Sequence, residues 1–408
     1  MTNMRLGTAA ALALVLGAGH ASADQWAMVY GSSPERLRLA PTLAPKYAIL
    51  RPKPAVSGTL RLQLPSSAVV EGRLIVRISN EAGEVPLNIA SASVGRAGSD
   101  GSVVDGTMVP LTFGGRVGSM LPGGAPVVSD PVRFSVPGGG PLVVSIYVPD
   151  GIVLNPAGGA GMTLAPNDQT QSARMSDAKP VFGRPFVTAV YSEDASPPTA
   201  IVAIGDSITD GNRIAPSAFR GWTETLRLRL ALQPRQRRMT VVNAGILGNR
   251  VLTDGMGEAA LARLDRDALT VPGIKYLLML EGCNDIGHSD LSDVFELAPH
   301  VAAADLIAGY RQIIARAHAR GVKVVLGTLT PWEGADVSTP SREMIRLAVN
   351  AWIRKQREAD GVVDSERAVR DPARPAALRR DFDSGDHLHP NEAGYRAIGE
   401  AIDLKLFR

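Results

Sequence analysis

The sequence predicts two regions of different class, an antiparallel β-sandwich over residues 24–194 and a three-layer α/β domain with a parallel sheet over residues 195–408. Three observations carry that expectation. A chain of 408 residues exceeds what one ordinary core holds. Up to about Asp194 the chain is built of short alternating or apolar runs separated by Gly- and Pro-rich turns. Beyond Pro197-Pro198 the hydrophobic period changes from 2 to about 3.6, and strands alternate with helices.

The first residues read as a targeting segment. Met1 to Arg5 carries one positive charge, Leu6 to Gly19 is almost entirely Ala, Leu, Gly and Val, and Ala21-Ser22-Ala23 is a small-x-small cleavage site. Residues 1–23 are therefore expected to be removed, leaving Asp24 first in a secreted or periplasmic protein. The apolar run is too short to span a bilayer, which takes roughly 20 residues, and no later segment replaces it. Stable membrane insertion is not expected.

Net charge is a formal +3, and the arginines are scattered rather than gathered into a run, which argues against a nucleic-acid partner. Cys283 is the only cysteine, so the chain has no intrachain disulfide and no CxxC metal or redox motif.

In the first region, strands are expected over Thr59 to Leu64, Arg73 to Ile78, Pro131 to Val136 and Leu142 to Val148. Turns such as Pro122-Gly123-Gly124 and Gly138-Gly139-Gly140 divide such runs. Only Ser32 to Leu39 hints at a helix. Ser176 and Lys179 match S-x-x-K, a pattern that needs both residues on one helical face, but Pro180 pushes Lys179 away from helix.

In the second region, strand-like runs fall at Ala200 to Ile204, Thr240 to Val242, Ile274 to Leu280, Val322 to Leu326 and Gly361 to Val363. Helical stripes lie between them: Phe219, Trp222, Leu226 and Leu230; Leu306, Tyr310, Ile313 and Ala317; Ile345, Val349 and Trp352. Asn391 to Leu404 closes the chain as a helix. Strands connected this way make a parallel sheet covered on both faces.

Four polar constellations sit at the strand ends or in the last loop, where open α/β sheets place ligands. They are Gly205-Asp-Ser-Ile-Thr-Asp-Gly211, Asn243-Ala-Gly-Ile-Leu-Gly-Asn-Arg250, Glu281-Gly-Cys-Asn-Asp285 and Asp386-His-Leu-His-Pro390. Together they supply the parts of an acyl-transfer site. A serine hydroxyl such as Ser207 attacks well only when an imidazole takes its proton, and the imidazole needs a carboxylate to fix its tautomer. Asp386 stands three positions before His389, close enough for one turn to join them. The backbone N–H groups of Ser207 and Gly248 and the side-chain amide of Asn284 can meet the negative charge that develops on a carbonyl oxygen. His288, Asp210, Arg250, Asp254 and Trp332 are candidates for the pocket lining or for loop support. A competing assignment makes His387 and His389 metal ligands beside Asp386, but of the other histidines past the signal only His288 lies by a strand end. No G-x-S-x-G occurs, which argues against an α/β-hydrolase elbow.

GDSITDG, NAGILGNR, EGCNDIGH and DHLHP, in this order, resemble the four signature blocks of the SGNH hydrolase superfamily, the GDSL-type esterases and lipases. The resemblance implies a flavodoxin-like catalytic domain and a serine ester hydrolase that needs no cofactor and no metal. It implies Ser207 as nucleophile, Asp386 and His389 as its partners, and Ser207, Gly248 and Asn284 as the oxyanion hole. Cys283 departs from the aliphatic residue or Thr expected there. A weaker match, through Trp26, Arg77-Ile-Ser-Asn80 and Leu111-Thr-Phe-Gly-Gly115, is to the β-domain that precedes some bacterial members.

The loops around Ser207, Gly248 and Asn284 are rich in Asn, Asp, Arg and Gly, which suits a hydroxyl-rich alcohol. The expected substrate is a small-molecule or glycan ester, with short acyl groups, acetyl above all, removed from carbohydrate. The alternatives are a lipolytic esterase or lysophospholipase, and a non-catalytic carbohydrate-binding protein on a hydrolase scaffold.

Overall fold

A computed structural model describes residues 26–41, 54–64, 70–99, 101–136, 139–154, 160–183, 186–194, 198–211, 221–234 and 239–408. The expected signal segment, Phe219, the turn residue Gly138 and most of the stretch between Asp194 and Thr199 lie outside the described residues.

Two large antiparallel sheets and a small two-stranded one, Leu87–Ile89 with Ser119–Leu121, make up the first region. One large sheet runs Trp26–Gly31, Val187–Glu193, Val70–Ser79, Pro126–Val128, with Val132–Val136 also paired to Val70–Ser79. The other runs Lys179–Gly183, Ala160–Ala165, Val56–Leu64, Leu142–Ile152, Ser91–Arg96, Val109–Pro110. Alternation explains why they stack: Leu60, Leu62 and Leu64 of one sheet and Leu74, Val76 and Ile78 of the other are fully buried in one shared core. The opposite face of Val56–Leu64 is covered too. There Arg61 is buried beneath a loop and donates to the carbonyls of Ala173 (3.0 Å) and Ser172 (2.6 Å) and to Ser145 Oγ (2.9 Å). Lys179 opens a strand, and Ser176 bonds back to Gln169, so the S-x-x-K pattern has no shared helical face.

The second region is a parallel five-stranded sheet in the order Met239–Gly245, Thr199–Gly205, Ile274–Leu280, Lys323–Gly327, Gly361–Val363. This is the flavodoxin-like order 2-1-3-4-5. The pleat of Thr199–Gly205 sends Ile201 and Ala203 to one face, packed with Trp222, Leu226 and Leu230 of helix Gly221–Ala231 and Tyr395 and Ile398 of helix Glu392–Ala401. Val202 and Ile204 go to the other, with Leu306, Tyr310 and Ile313 of helix Ala303–His318 and Val349 and Ile353 of helix Pro340–Lys355. Burial on both faces is why these strands read as continuous apolar runs. Local chemistry sets the helix starts: Thr339 Oγ1 accepts from Arg342 N (3.2 Å) ahead of Pro340, and Asn391 Oδ1 accepts from Gly394 N (3.1 Å).

The helix hinted at over Ser32 to Leu39 is not formed. That segment is extended and makes isolated bridges, Leu37 to Met256 and Leu39 to Phe295. Arg36 and Arg38 are exposed while Leu37 and Leu39 pack inward, a period of 2 whose partners are more than two hundred residues away. The two regions also share a core, since Met28 and Ala189 of the sandwich pack with Val242 and Ala244 of the parallel sheet's edge strand. Gly31 lies so close to that strand that a Cβ there would come within 2.4 Å of Val242 Cγ1.

Candidate active site

The strand Thr199–Gly205 ends where its backbone must turn under its neighbour. A Cβ on Gly205 would stand 2.1 Å from Thr209 Oγ1 and 2.4 Å from the Leu280 carbonyl, so only glycine fits. Asp206 then caps a single helical turn, Ser207–Asp210, by accepting from Ile208 N (2.9 Å) through Oδ1. Its other oxygen accepts the Cys283 thiol (3.0 Å), which gives the departing cysteine a polar partner. Ser207 is the first residue of that turn, so its own N–H has no intrahelical acceptor.

Ser207 Oγ lies 2.8 Å from His389 Nε2, and His389 Nδ1 lies 2.7 Å from Asp386 Oδ2. The short spacing works because Asp386 folds its own turn: Oδ1 accepts from Leu388 N (3.1 Å) and His389 N (2.9 Å), leaving Oδ2 for the ring. Burial disfavours the Asp386 carboxylate, but the hydrogen bonds from the His389 ring and from the backbone N–H groups of His389 and Leu388 outweigh it and hold the group well below the usual carboxylate range. An ionised carboxylate only accepts. The proton therefore sits on Nδ1, and Nε2 turns its lone pair to the Ser207 hydroxyl. His387, by contrast, takes a left-handed backbone (φ 62°) and bonds Asp383 Oδ2 at 2.6 Å, away from this relay. Among the described residues, no three His, Cys, Asp or Glu side chains are gathered as a metal site.

The other two strand-end loops are locked to each other. Gly248 has φ 69°, and a Cβ there would come within 2.3 Å of Met256 Sδ. Among the described residues its N–H has no backbone acceptor. Asn284 opens onto the same loop, its Nδ2 donating to the Asn249 carbonyl at 3.0 Å, which fixes the amide and leaves its second N–H for another acceptor. Asp285 joins the loops from below, accepting from Val251 N (2.8 Å) and Leu252 N (3.0 Å). Burial pushes that carboxyl up to about 6 against those two hydrogen bonds. A hydroxyl, an imidazole with a free lone pair and fixed N–H donors together are what acyl transfer to serine requires.

Residues 203–397 match the model of the GDSL-like lipase/acylhydrolase family. They form a GDSL-like acylhydrolase domain. The protein is a carboxylic ester hydrolase. Among solved structures, LAE5, an alpha/beta hydrolase enzyme from the metagenome of Lake Arreo, Spain, is 23% identical with a TM-score of 0.39, over 50% of this chain and 92% of its own. Axe2, an acetylxylan esterase from Geobacillus stearothermophilus, is 23% identical with a TM-score of 0.38, over 50% of this chain and 91% of its own. No curated protein matches the chain.

The structure brings Ser207, His389 and Asp386 together, with Gly248 and Asn284 on adjoining loops. The lining candidates of the GDSL-like domain fare differently. Trp332 is fully buried in the core. Asp254 pairs with Arg38 (3.3 Å) and accepts from Ala259 N (2.9 Å), so it supports a loop. Asp210 ends the turn that Ser207 begins. The Arg250 guanidinium lies 4.8 Å over the Phe295 ring, whose other neighbour is the His288 ring at 4.9 Å. Burial, with Arg250 and Arg342 nearby, pushes His288 down to about 3 and keeps it neutral.

One residue went unnoticed in the sequence. Arg263 is buried and donates to the carbonyls of Ala244 (2.6 Å) and Gly205 (3.2 Å), to Asn249 Oδ1 (2.9 Å) and to Asp267 Oδ2 (3.2 Å). It ties the ends of two strands to the Gly248 loop. The available signal was an arginine inside Ala259-Ala-Leu-Ala-Arg-Leu264 with an aspartate four residues on.

Proposed function

We propose that this ester hydrolase is an exported serine esterase that removes short acyl groups, acetyl above all, from a hydroxyl-rich alcohol such as a carbohydrate. The relay Ser207, His389, Asp386, at 2.8 and 2.7 Å with the carboxylate ionised, carries the mechanistic part. Ser207 Oγ attacks the acyl carbon while His389 Nε2 takes the hydroxyl proton. The oxygen anion so formed is met by the N–H groups of Ser207 and Gly248 and by the Asn284 amide. Protonated His389 gives its proton to the departing alcohol oxygen, leaving an acyl-serine. Water then attacks with His389 as base, and the carboxylic acid leaves as Ser207 recovers its proton. Asp386 holds the ring's tautomer and stabilises its cationic form throughout.

Two features support the finer reading. The region that bears Ser207, Gly248 and Asn284 carries no long apolar segment in its sequence that would shelter an acyl tail. The charged start, apolar run and Ala21-Ser22-Ala23 site of residues 1–23 support export, which would place the enzyme among polymers. The test is a panel of p-nitrophenyl esters from C2 to C12 together with acetylated xylan and a lysophospholipid. The highest kcat/KM is expected at C2, with acetate released from xylan. A rate rising toward C12, or lysophospholipid cleaved faster than xylan, would make the enzyme lipolytic.

A further inference from the structure

The segment that follows the first strand of the sandwich does not stay with the sandwich. Trp26–Gly31 pairs with Val187–Glu193, but residues 33–40 cross onto the GDSL-like domain and thread between two of its loops. On one side Arg38 N donates to the Gly255 carbonyl (2.7 Å) and Gly257 N donates to the Arg36 carbonyl (3.1 Å). On the other, Ala40 N donates to the Val294 carbonyl (3.0 Å) and Glu296 N to the Arg38 carbonyl (3.5 Å). The Arg38 guanidinium adds an ion pair with Asp254 at 3.3 Å. Beneath the strap, Leu37 and Leu39 pack with Leu247, Met256, Val294 and Phe295 in a small core of their own.

The loop held in this way touches the oxyanion machinery directly. Met256 fills the space in which a Gly248 Cβ would stand, and its carbonyl accepts from Asn249 Nδ2 at 3.2 Å. Asn249 in turn offers its carbonyl to Asn284 Nδ2. Left to itself the loop is a tight turn closed by Gly255 N on the Gly257 carbonyl (3.0 Å), with glycines at both ends and much backbone freedom to lose. A second route starts at Ser33, whose Oγ accepts from Arg263 Nη1 (3.1 Å), the same guanidinium that holds Asn249 Oδ1.

We infer that residues 33–40, carried in by the N-terminal region, are a positioning element of the oxyanion hole, acting through Met256 and Asn249 on Gly248 and Asn284. The inference rests on the oxyanion roles proposed above. Donors act only when preset where the charge develops, so a loosened strap lowers kcat and leaves ground-state binding nearly unchanged.

The test uses full-length protein and a short-chain ester, with kcat, KM and thermal unfolding measured for Leu37→Ala, Leu37→Met and Arg38→Ala, each also combined with Asn284→Ala. Leu37→Ala is expected to lower kcat about 10-fold, part of the 100- to 1,000-fold that a wholly lost donor costs, with KM within about twofold. Leu37→Met should restore the rate, and the effect should shrink to under about threefold once Asn284 is already Ala, because both changes then act on one donor set. Wild-type kcat in folded Leu37→Ala, or the same factor in both backgrounds, would overturn the inference. Should Leu37→Ala not fold, the exposed Arg38→Ala reads the same point, with about a threefold loss expected that vanishes in the Asn284→Ala background. Ser207→Ala separates the two claims: if it stays active the serine mechanism is wrong, and if it is dead while the strap variants are neutral only the strap inference falls.

Discussion

Gly248→Ala separates two costs that the structure places at one atom. At φ 69° an alanine pays the left-handed penalty of about 1 to 2 kcal/mol. Its Cβ would also lie 2.3 Å from Met256 Sδ and 3.0 Å from Met256 Cβ and Cγ. Met256 cannot simply retreat, since its residue is bridged to Leu37 and its side chain is 4% exposed. Overpacking of this kind costs about 1 to 3 kcal/mol, so the substitution should destabilise the protein by about 2 to 5 kcal/mol in all. The assay is urea unfolding of Gly248→Ala in the native and Met256→Ala backgrounds. Removing the thioether opens the space but leaves φ as it was, so the added cost of the alanine should fall to about 1 to 2 kcal/mol. An equal cost in both backgrounds would refute the packing argument, and no cost in either would refute the backbone one.

Three further outcomes follow from the same geometry. Asp386→Asn should fold normally and lose about 100- to 10,000-fold in kcat, because an amide no longer dictates the His389 tautomer; steady-state rates beside a near-native thermal transition check this. Glu281 is buried with Arg263 3.9 Å away, and burial, opposed by Arg263 but helped by Asp206 and Asp285, pushes it up to about 8. Folded protein then holds a proton the unfolded chain has lost above about pH 4.3, so this group makes stability fall as pH rises toward 8, and Glu281→Gln should flatten the dependence of the urea midpoint between pH 5.5 and 7.5; an unchanged slope would contradict the assignment. Arg346 is fully buried and donates to the Leu329 carbonyl (3.0 Å), Glu366 Oε1 (2.9 Å) and Glu343, so Arg346→Met should cost about 2 to 3 kcal/mol in the same unfolding assay by leaving Glu366 Oε1 without a donor while Arg354 and Asn350 still hold Oε2; an unchanged urea midpoint would contradict this.

What was legible in the sequence was mostly what is local. The strands Ile274–Leu280 and Gly361–Val363 have the bounds their apolar runs suggest, the first because Tyr276 to Leu280 is buried on both faces of the sheet although Lys275 at its start is exposed. The pairing of Asp386 with His389 was legible because one turn decides it. Ser32 to Leu39 was misread because its partners, Met256 and Phe295, lie in another part of the chain, and a few apolar residues do not distinguish the two periods. Arg263, Glu281 and Arg346 look like ordinary charged residues in sequence; only the tertiary fold removes them from water and surrounds them with carbonyls and carboxylates. The Asn284 amide was legible as a donor, but not its bond to the Asn249 carbonyl, which fixes the side chain against its neighbouring loop.

Acylation of Ser207 Oγ can be read out by covalent labelling. Full-length protein is treated with a fluorophosphonate, and the adduct is located by peptide mass spectrometry alongside Ser207→Ala and His389→Ala. One adduct is expected, on Ser207, absent from Ser207→Ala and formed far more slowly in His389→Ala, where no imidazole lies 2.8 Å from the hydroxyl. An adduct on another residue, or ester hydrolysis that survives Ser207→Ala, would contradict it.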